Sequence, residues 1–451
     1  ILSHGVAGAI LKSLRRGGEY CLDDRNEGAR GLSLSGGTSQ SGRLIPHMRA
    51  TDKAMIERSV FVWVLGLTLL RAEELPVTVV TAGRVQENWS EVMYSVESIS
   101  KEEFIEQGYR TIPEALLYTP GVSVQKTTHG HGSPFIRGFT GRQNLFLVDG
   151  VRINNSTWRS GPVQYWNTVD GFGANRFELV KSQGSVLYGS DALGGTLNVL
   201  SGATGFEDQQ GFYHGGRAFY RFDTNSESHL GRLEARFGEG GKWGVVIGGS
   251  VKRFGDIRDS ALGTFKNTGY DEENIDFKFE ALVAPDLRVT LAHQYVNQDD
   301  VWRWHSTVFN DEPWNGTTLG TFNSRIYDQE RSLTYLRAEG EPMSEAVDRW
   351  SATLSYQKTQ DSQIQDRAAD DFRTSVIDVD TYGIDVQGES TVGNGLLVYG
   401  VDYYQDRIDS AGTRTGEDPR SQRPVADDST YHLAGIFGQY RWDVSERADI
   451  A

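Results

Sequence analysis

The sequence has a single cysteine, Cys21, so no disulfide bond can form within the chain. It also has no excess of basic residues, and its formal net charge of −16 argues against a nucleic-acid partner, because phosphate binding needs a basic surface. Three enzyme motifs are missing: the Gly-x-Ser-x-Gly elbow, His-Glu-x-x-His and the Walker phosphate loop. Adjacent carboxylates such as Asp299-Asp300 and Asp370-Asp371 lie in polar segments, where they are more often solvated or ion-binding than catalytic. The sequence therefore predicts that the protein is not an enzyme and carries no cofactor.

The N-terminal part of the chain has the composition of an export signal behind an unusual leader. A short charged lead precedes an apolar run at residues 59–70, which is too short to span a bilayer, and a cleavage site follows at Ala72. This pattern predicts a signal peptide over residues 55–72, with a buried hydrophobic helix as the alternative. Residues 1–54 are rich in Gly, Ser and Arg, and we expect a disordered or non-native leader without function.

Residues 112–200 contain four blocks that predict a compact domain of mixed secondary structure. The first begins Ile-Pro-Glu-Ala-Leu-Leu at Ile112, a helical pattern that a Pro-Gly pair ends, and the second is Ile-Arg-Gly-Phe from Ile136. The third starts at Leu147 and places Asp-Gly between two apolar runs, which is a hairpin signal. The fourth runs from Phe177 through a glycine-rich stretch to Val199, and its glycines allow tight turns and close packing.

From residue 212 onward, the sequence changes to segments in which polarity alternates with a period of two. Apolar residues at 275, 277 and 279 alternate with Asp276, Lys278 and Glu280, and similar patterns recur over residues 287–295, 350–356 and 397–403. A membrane barrel with lipid outside and water inside would show this alternation, and so would a soluble β-sandwich. We count roughly ten or eleven strands between residues 211 and 451 by the usual strand and turn signals.

The connections between these strands favour the barrel over the sandwich. Brief turns are predicted at residues 238–241, 284–286, 392–394 and 445–447, and long polar segments at residues 255–273, 299–329, 361–377 and 408–430. Short connections that alternate with long ones are typical of outer-membrane barrels, which have tight periplasmic turns and large outer loops.

The four blocks, in this order and spacing, resemble the plug domain of TonB-dependent outer-membrane receptors. A nucleotide-binding loop is excluded because no Gly-Lys-Ser/Thr follows the glycines, and a small soluble α/β domain remains the alternative. The resemblance implies an N-terminal α+β plug over residues 85–205, in a protein of the outer membrane of a Gram-negative bacterium. It assigns a structural role in this plug to Arg137, Gly138, Asp149, Gly150, Gly189, Gly194 and Gly195.

The resemblance also implies a membrane β-barrel over residues 206–451. This part would be roughly half of an antiparallel barrel of about 22 strands. Half of a barrel would leave two open sheet edges, whose main-chain N–H and C=O groups find no hydrogen-bond partners in lipid. We therefore expect a fragment that does not transport by itself.

Residues 73–84 resemble the TonB box and its linker, the segment of these receptors that pairs with the inner-membrane energy transducer. The residues that match the box are Pro76, Val77, Thr78, Val79, Val80 and Thr81. An unstructured β-branched run can add to a partner sheet as an edge strand, and an ordinary first strand of the plug is the alternative. The resemblance implies a monomer energised by the TonB-ExbB-ExbD complex, and a role in surface signalling is disfavoured.

Ligand contacts are expected from two plug apices, residues 127–134 and 154–166, and from an aromatic outer segment. We predict as ligand contacts His129, His131, Asn154, Trp158, Arg159, Tyr165, Trp166, Trp302, His305 and Trp314. Packing of the apical aromatics against the barrel, and an aromatic girdle for Trp302, are the alternatives. The two histidines lack a third ligand, so no metal site is predicted and haem is a minority option.

The predicted function is energised uptake of an iron chelate such as a siderophore, with haem or a cobalamin-type ligand as alternatives. A passive pore or surface-binding protein is disfavoured by the plug and the predicted TonB box. Arg137 and Arg142 are interpreted as structural residues that pair with carboxylates on the inner face of the barrel.

Overall fold

The computed structural model describes residues 78–260, 263–303, 322–367, 370–418, 423–445 and 448–450. The predicted leader and signal peptide lie outside these residues, as do Pro76, Val77, His305 and Trp314. Within the described ranges, no helix combines the length and the apolar composition that crossing a membrane would require.

The N-terminal part, residues 78–208, is a mixed domain that we call the plug. Its helices are short, and their starts follow from the sequence: Pro113 lies in the first turn of the second helix, where its missing N–H costs no hydrogen bond, and Ser100 caps the first by accepting from the Glu103 amide. The elements are β1 (Thr78–Val79), β2 (Glu87–Asn88), β3 (Val96–Ser100), α1 (Lys101–Glu106), α2 (Ile112–Ala115), β4 (Val122–Thr128), β5 (His131–Ile136), β6 (Leu145–Val148), β7 (Val151–Arg152), β8 (Ala174–Val180), α3 (Ser185–Tyr188) and β9 (Thr196–Ser201).

A five-stranded sheet in the order β3-β8-β9-β6-β7 forms the centre of the plug, and only β6 and β9 pair in parallel. The predicted hairpin is confirmed: Asp149 and Gly150 both have positive φ, 48° and 81°, and join β6 to β7. Gly194 is required for packing, because a Cβ there would lie 2.2 Å from Asn144 Oδ1 and 2.8 Å from the Ile136 carbonyl oxygen.

The C-terminal part forms an antiparallel sheet of 11 strands that we call the wall. Strands that follow one another in the sequence are neighbours in the sheet, except that β12 pairs directly with β15. The two strands between them in the sequence, β13 and β14, form a separate small hairpin. The elements are β10 (Phe212–Asp223), β11 (Ser228–Glu239), β12 (Trp243–Phe254), β13 (Ile257–Asp259), β14 (Gly263–Phe265), β15 (Tyr270–Ala284), β16 (Leu287–Trp302), β17 (Phe322–Gly340), β18 (Arg349–Arg367), β19 (Asp371–Val392), β20 (Gly395–Arg414), β21 (Ser429–Ser445) and β22 (Ala448–Ile450).

The alternation of polarity in the wall strands separates a plug-facing side from an outer side. On β15, Asp276 pairs with Arg232 of the wall and Lys278 pairs with Asp149 of the plug. Ile275 and Val283 are 56% and 60% exposed on the other side. The predicted two-faced wall strands are therefore confirmed. An apolar core lies between plug and wall, where Leu230, Ala292, Leu333 and Tyr335 of the wall pack with the buried plug residues.

One end of the wall carries the tight turns β15–β16 and β19–β20, and we call it the turn end; the other is the loop end. The prediction of a long loop over residues 361–377 is wrong, because β18 extends to Arg367 and β19 begins at Asp371. Strands β16, β17 and β20 likewise extend into segments predicted as loops. The extensions of β18 and β19 carry polar residues on both faces, as in the Gln363–Ser375 pair, so main-chain pairing forms them without a strict alternation of polarity.

Candidate functional site

Buried ion pairs hold the plug to the wall. The Asp170 carboxylate lies 2.8 Å from Lys252 Nζ and 3.4 Å from Arg232 Nη1, and it accepts a hydrogen bond of 2.6 Å from Ser250 Oγ. Burial alone would raise the pKa of Asp170, but the two cations and the hydrogen bonds lower it to about 2. A second pair joins Lys101 Nζ to Glu234 Oε2 at 3.0 Å.

The Asp149 turn is a further contact point between plug and wall. Its carboxylate accepts hydrogen bonds from Ser201 Oγ at 2.6 Å and Tyr335 OH at 2.8 Å, and it lies 3.4 Å from Lys278 Nζ. Arg337 Nη2 donates to the carbonyl oxygen of the same residue. Burial opposes ionisation, but the lysine and these donors keep the pKa of Asp149 below its usual value.

The plug arginine that pairs with wall carboxylates is not one of the two that the sequence suggested. Arg137 and Arg142 are both exposed, and among the described residues neither forms an ion pair with a wall carboxylate. The prediction that they pair with the wall is wrong. Arg84 fills this role instead, with Nη1 at 2.8 Å from Asp385 Oδ2 and Nη2 at 3.5 Å from Asp402 Oδ1.

The part of the predicted TonB box that is described is folded against the plug. Val79 and Thr81 are buried, and β1 pairs with β2, so the expectation of an unstructured run is wrong for residues 78–81. The fully buried Glu178 carboxylate accepts hydrogen bonds from the Val80 and Thr81 amides at 3.1 and 2.9 Å and from Thr81 Oγ1 at 2.6 Å. Tyr188 OH donates to the Thr81 carbonyl at 2.9 Å.

Glu178 should control how firmly this segment is docked. The substitution Glu178→Ala removes the acceptor of three hydrogen bonds and leaves two amides without it, which costs about 1–3 kcal/mol in docking free energy. We expect protease cleavage within residues 78–85 to become about 5- to 140-fold faster, since each 1.4 kcal/mol is a factor of ten. Limited proteolysis followed by mass spectrometry measures this rate. Glu97→Ala, at a more exposed carboxylate that pairs with Lys181, is the matched control, and an unchanged rate for Glu178→Ala would contradict the role.

A cavity of about 150 Å³ lies between the plug and strands β20 and β21 toward the loop end, and we call it the loop-end pocket. Its charges balance, because Arg142 and Arg152 face Asp191 and Asp406. Arg152 Nη1 lies 2.8 Å from Asp191 Oδ2, and the Ser156 amide donates to Asp406 Oδ2 at 2.7 Å. The lining residues are Arg142, Arg152, Asn154, Asn155, Ser156, Trp158, Ser190, Asp191, Tyr404, Asp406, Tyr431 and Leu433.

The two predicted apices are packed rather than exposed. Trp158 and Trp166 are 4% and 0% exposed, and Trp166 stacks on Phe146 with ring centroids 4.8 Å apart, so these two rings pack, as in the alternative to ligand contact. The small residues around them form the turns that let the rings fold inward. Asn154 is also buried and bridges the Phe146 amide and the Asn144 carbonyl, although it and Trp158 do border the loop-end pocket.

Arg159 and Tyr165 belong to the same packed apex. Arg159 Nη2 donates to Gln164 Oε1 at 2.5 Å, and Gln164 Nε2 donates to Asp361 on β18 at 2.7 Å. The Tyr165 ring lies against Trp158, with centroids 5.3 Å apart. Burial first, and then the nearby Asp361 carboxylate, raise the pKa of Tyr165 well above its ordinary value. These contacts attach the apex to the wall.

The two histidines are buried and contact wall aromatics, and their predicted role as ligand contacts stays a prediction. His129 lies 5.6 Å from Phe254 and His131 lies 5.7 Å from Tyr327, measured between ring centroids. Arg110 Nη1 lies 3.1 Å from His129 Nδ1. Burial, together with Lys126 and Arg110, lowers the pKa of His129 to about 2, so this ring is neutral at physiological pH.

Trp302 ends β16 and is half-buried. A bulge between Gln298 and Val301 turns the fully buried Val301 inward, so Trp302 lies on the opposite face, in agreement with the girdle alternative. Its role as a ligand contact stays a prediction.

Several residues of the site were not predicted from the sequence. Tyr404, Asp406 and Tyr431 reach the loop-end pocket only through the pairing register of β20 and β21. Glu178 could have been found, since it is the one carboxylate within the apolar run Phe-Glu-Leu-Val, and a buried carboxylate needs donors.

Residues 89–196 match the family model described as TonB-dependent Receptor Plug Domain. The vitamin B12 transporter BtuB of Vibrio vulnificus is 35% identical over 214 residues, which cover 46% of this chain and 34% of the relative. The vitamin B12 transporter BtuB of Photobacterium profundum is 25% identical over 387 residues, which cover 83% of this chain and 56% of that protein. The chain thus spans between about a third and about half of the length of these relatives.

Solved structures with the same fold include the copper transporter OprC, with a TM-score of 0.63 at 17% identity, covering 78% of this chain and 53% of that one. The siderophore receptor PirA from Acinetobacter baumannii has a TM-score of 0.58 at 17% identity, covering 78% and 55%. At these identities the likeness shows the fold alone. The relatives are transporters and receptors rather than enzymes, as predicted. With residues 89–196 matching the plug family and with an antiparallel wall packed against this plug, the chain has the plug domain and the fold of the TonB-dependent outer-membrane receptors of Gram-negative bacteria.

Proposed function

We propose that this receptor takes up a corrinoid of the vitamin B12 type across the outer membrane. The observation that carries the proposal is the match of up to 387 residues to vitamin B12 transporters. Uptake would be energised by the TonB-ExbB-ExbD complex acting on residues 76–81.

The loop-end pocket, at about 150 Å³, offers contacts to one part of a ligand that carries no strong net charge. Two arginines and two carboxylates cancel in its lining, so the pocket does not attract a strongly anionic chelate by charge. Asn155 and Ser156 provide polar contacts, while Tyr404 and Tyr431 provide flat apolar surface with a hydroxyl group. The edge of a corrinoid, where amide side chains surround a broad ring, suits this combination.

A ferric siderophore is the second candidate, because the aromatic lining also suits a neutral iron chelate. Haem is less well supported by His129 and His131, since both are buried against wall aromatics.

The deciding experiment is uptake by a Gram-negative strain that lacks its own corrinoid receptor and expresses this receptor. We expect saturable accumulation of radiolabelled cyanocobalamin that collapses when the proton gradient is dissipated. Excess ferric siderophore should not compete. Failure to bind or accumulate cyanocobalamin, together with growth on a ferric chelate, would replace the corrinoid by the second candidate.

A further inference from the structure

Arg331 on β17 is a buried cation without a carboxylate partner among the residues that the structure describes. Its side chain is 1% exposed, Nε donates to the Thr168 carbonyl of the plug at 2.7 Å, and Nη2 donates to Gln294 Oε1 at 3.1 Å. Both partners are neutral, and Nη1 has no acceptor in the described part of the chain. By contrast, carboxylates pair with the buried cations Lys101, Arg152, Arg232 and Lys252.

A buried guanidinium needs a counter-charge, because arginine stays protonated inside proteins. An unpaired buried charge is strongly destabilising, and neutral dipoles such as the Thr168 carbonyl offset this cost only in part. Two carboxylates lie near Arg331 in the sheet register, but neither pairs with it. Glu330 lies on the opposite face of β17, since strand residues alternate, and Asp361 accepts a hydrogen bond from Gln164 Nε2 at 2.7 Å. The charge of Arg331 is therefore not balanced within the described residues.

A small cavity between plug and wall borders this arginine, and we call it the Arg331 cavity. Gln329 lies on the same face of β17, is 2% exposed and borders the cavity too, and neither Nε2 nor Oε1 of its amide has a partner among the described residues. Much of the remaining lining is apolar, from Ile153, Trp158 and Val379. The volume of about 20 Å³ holds one particle of the size of a water molecule, so a phosphate, a sulfate or a part of the imported ligand is too large.

We propose that the Arg331 cavity binds a small monovalent anion, chloride in the natural medium, which accepts hydrogen bonds from Arg331 Nη1 and Gln329 Nε2. The guanidinium supplies the opposite charge and the amide a second donor. The apolar lining suits chloride, because this ion is large for its charge and gives up its hydration more easily than a carboxylate does. A water molecule satisfies the same donors but leaves the charge unpaired. The anion thereby attaches the wall to the plug segment that ends at Thr168, whichever ligand the receptor imports.

The first test locates the anion with bromide, which is close to chloride in size and scatters X-rays anomalously. Crystals of the receptor grown without halide are soaked in sodium bromide, and anomalous maps are calculated for the parent and for Arg331→Met. We expect a peak in hydrogen-bonding contact with Arg331 and Gln329 in the parent, and none at this place in the variant. Bromide peaks that occur only elsewhere on the parent would overturn the proposal.

The second test measures what the anion does in solution, by hydrogen exchange of the Asn167 and Thr168 amides, which are hydrogen-bonded within the apex. We expect exchange in the parent to be at least about fivefold slower in about 200 mM chloride than in gluconate of the same concentration, as a dissociation constant of about 50 mM or lower gives. Gluconate is too large for the cavity, and the matched concentration keeps ionic strength constant.

Arg331→Met should abolish this difference between the two salts. The matched control is Arg337→Met on the same strand, because Arg337 contacts the Asp149 turn instead and its loss leaves the Arg331 cavity intact. This control should keep the full chloride effect even where its overall stability falls. Equal exchange of the parent in both salts, or an unchanged chloride effect in Arg331→Met, would overturn the proposal. The comparison of salts in the parent decides the matter even if Arg331→Met does not fold.

Discussion

Asp170→Ala should destabilise the plug by about 3 kcal/mol, because it removes one partner from a buried charge network. Lys252 and Arg232 are 3% and 5% exposed and cannot regain full hydration in the folded protein. The cost stays at the lower end of the range for broken buried pairs, since Lys252 retains Glu272 at 2.6 Å and Arg232 retains Asp276 at 2.7 Å. Hydrogen exchange of plug amides, measured with the wall intact, reports this free energy.

Asp170→Asn removes the negative charge but keeps a hydrogen-bond acceptor, since the amide oxygen can still accept from Ser250. We expect a smaller loss for this variant than for Asp170→Ala. The stabilisation is also pH-dependent: the pKa of Asp170 is lowered from 3.8 to about 2, so its contribution is complete above pH 3.8 and is lost as the pH falls through about 2. An Asp170→Ala variant as stable as the parent at neutral pH would show that this ion pair does not hold the plug.

Trp166→Ala should cost about 4 kcal/mol, in the range for removal of a buried aromatic ring. Trp166 is fully buried and lies against both Phe146 and Trp158, so its truncation leaves a cavity in the plug. We expect the plug to be less stable. Apparent ligand affinity should fall only in proportion to the fraction of protein that remains folded. Chemical denaturation monitored by hydrogen exchange measures the first quantity, and equilibrium binding measures the second.

Tyr431→Ala is the matched control for the tryptophan, because Tyr431 lines the loop-end pocket and is 47% exposed. Its truncation should change plug stability by less than about 0.5 kcal/mol. It should weaken ligand binding, however. Selective loss of binding in Trp166→Ala with unchanged stability would restore the ligand-contact role that the sequence suggested.

The sequence was informative where local chemistry decides the structure. The Asp149–Gly150 hairpin follows from two residues that tolerate positive φ, and the wall strands follow from strict alternation of polarity. Both are short-range signals. They do not depend on which strand pairs with which.

The failures concern contacts between residues distant in the sequence. Trp166 stands among Gly, Gln and Asn, so its neighbourhood looks exposed, yet its partner Phe146 comes from a preceding strand. Arg84 finds Asp385 301 residues away, a pairing that only the assembled wall creates. The extensions of β18 and β19 were missed for another reason: they pair through the main chain without a strict alternation of polar and apolar residues.

The most direct test of energised import by this receptor is deletion of residues 76–81. Binding and uptake of radiolabelled cyanocobalamin are measured on the same cells. We predict that equilibrium binding changes less than twofold, while energy-dependent uptake falls to the level of cells without the receptor. Undiminished uptake after the deletion would contradict energised transport and would favour a passive pore.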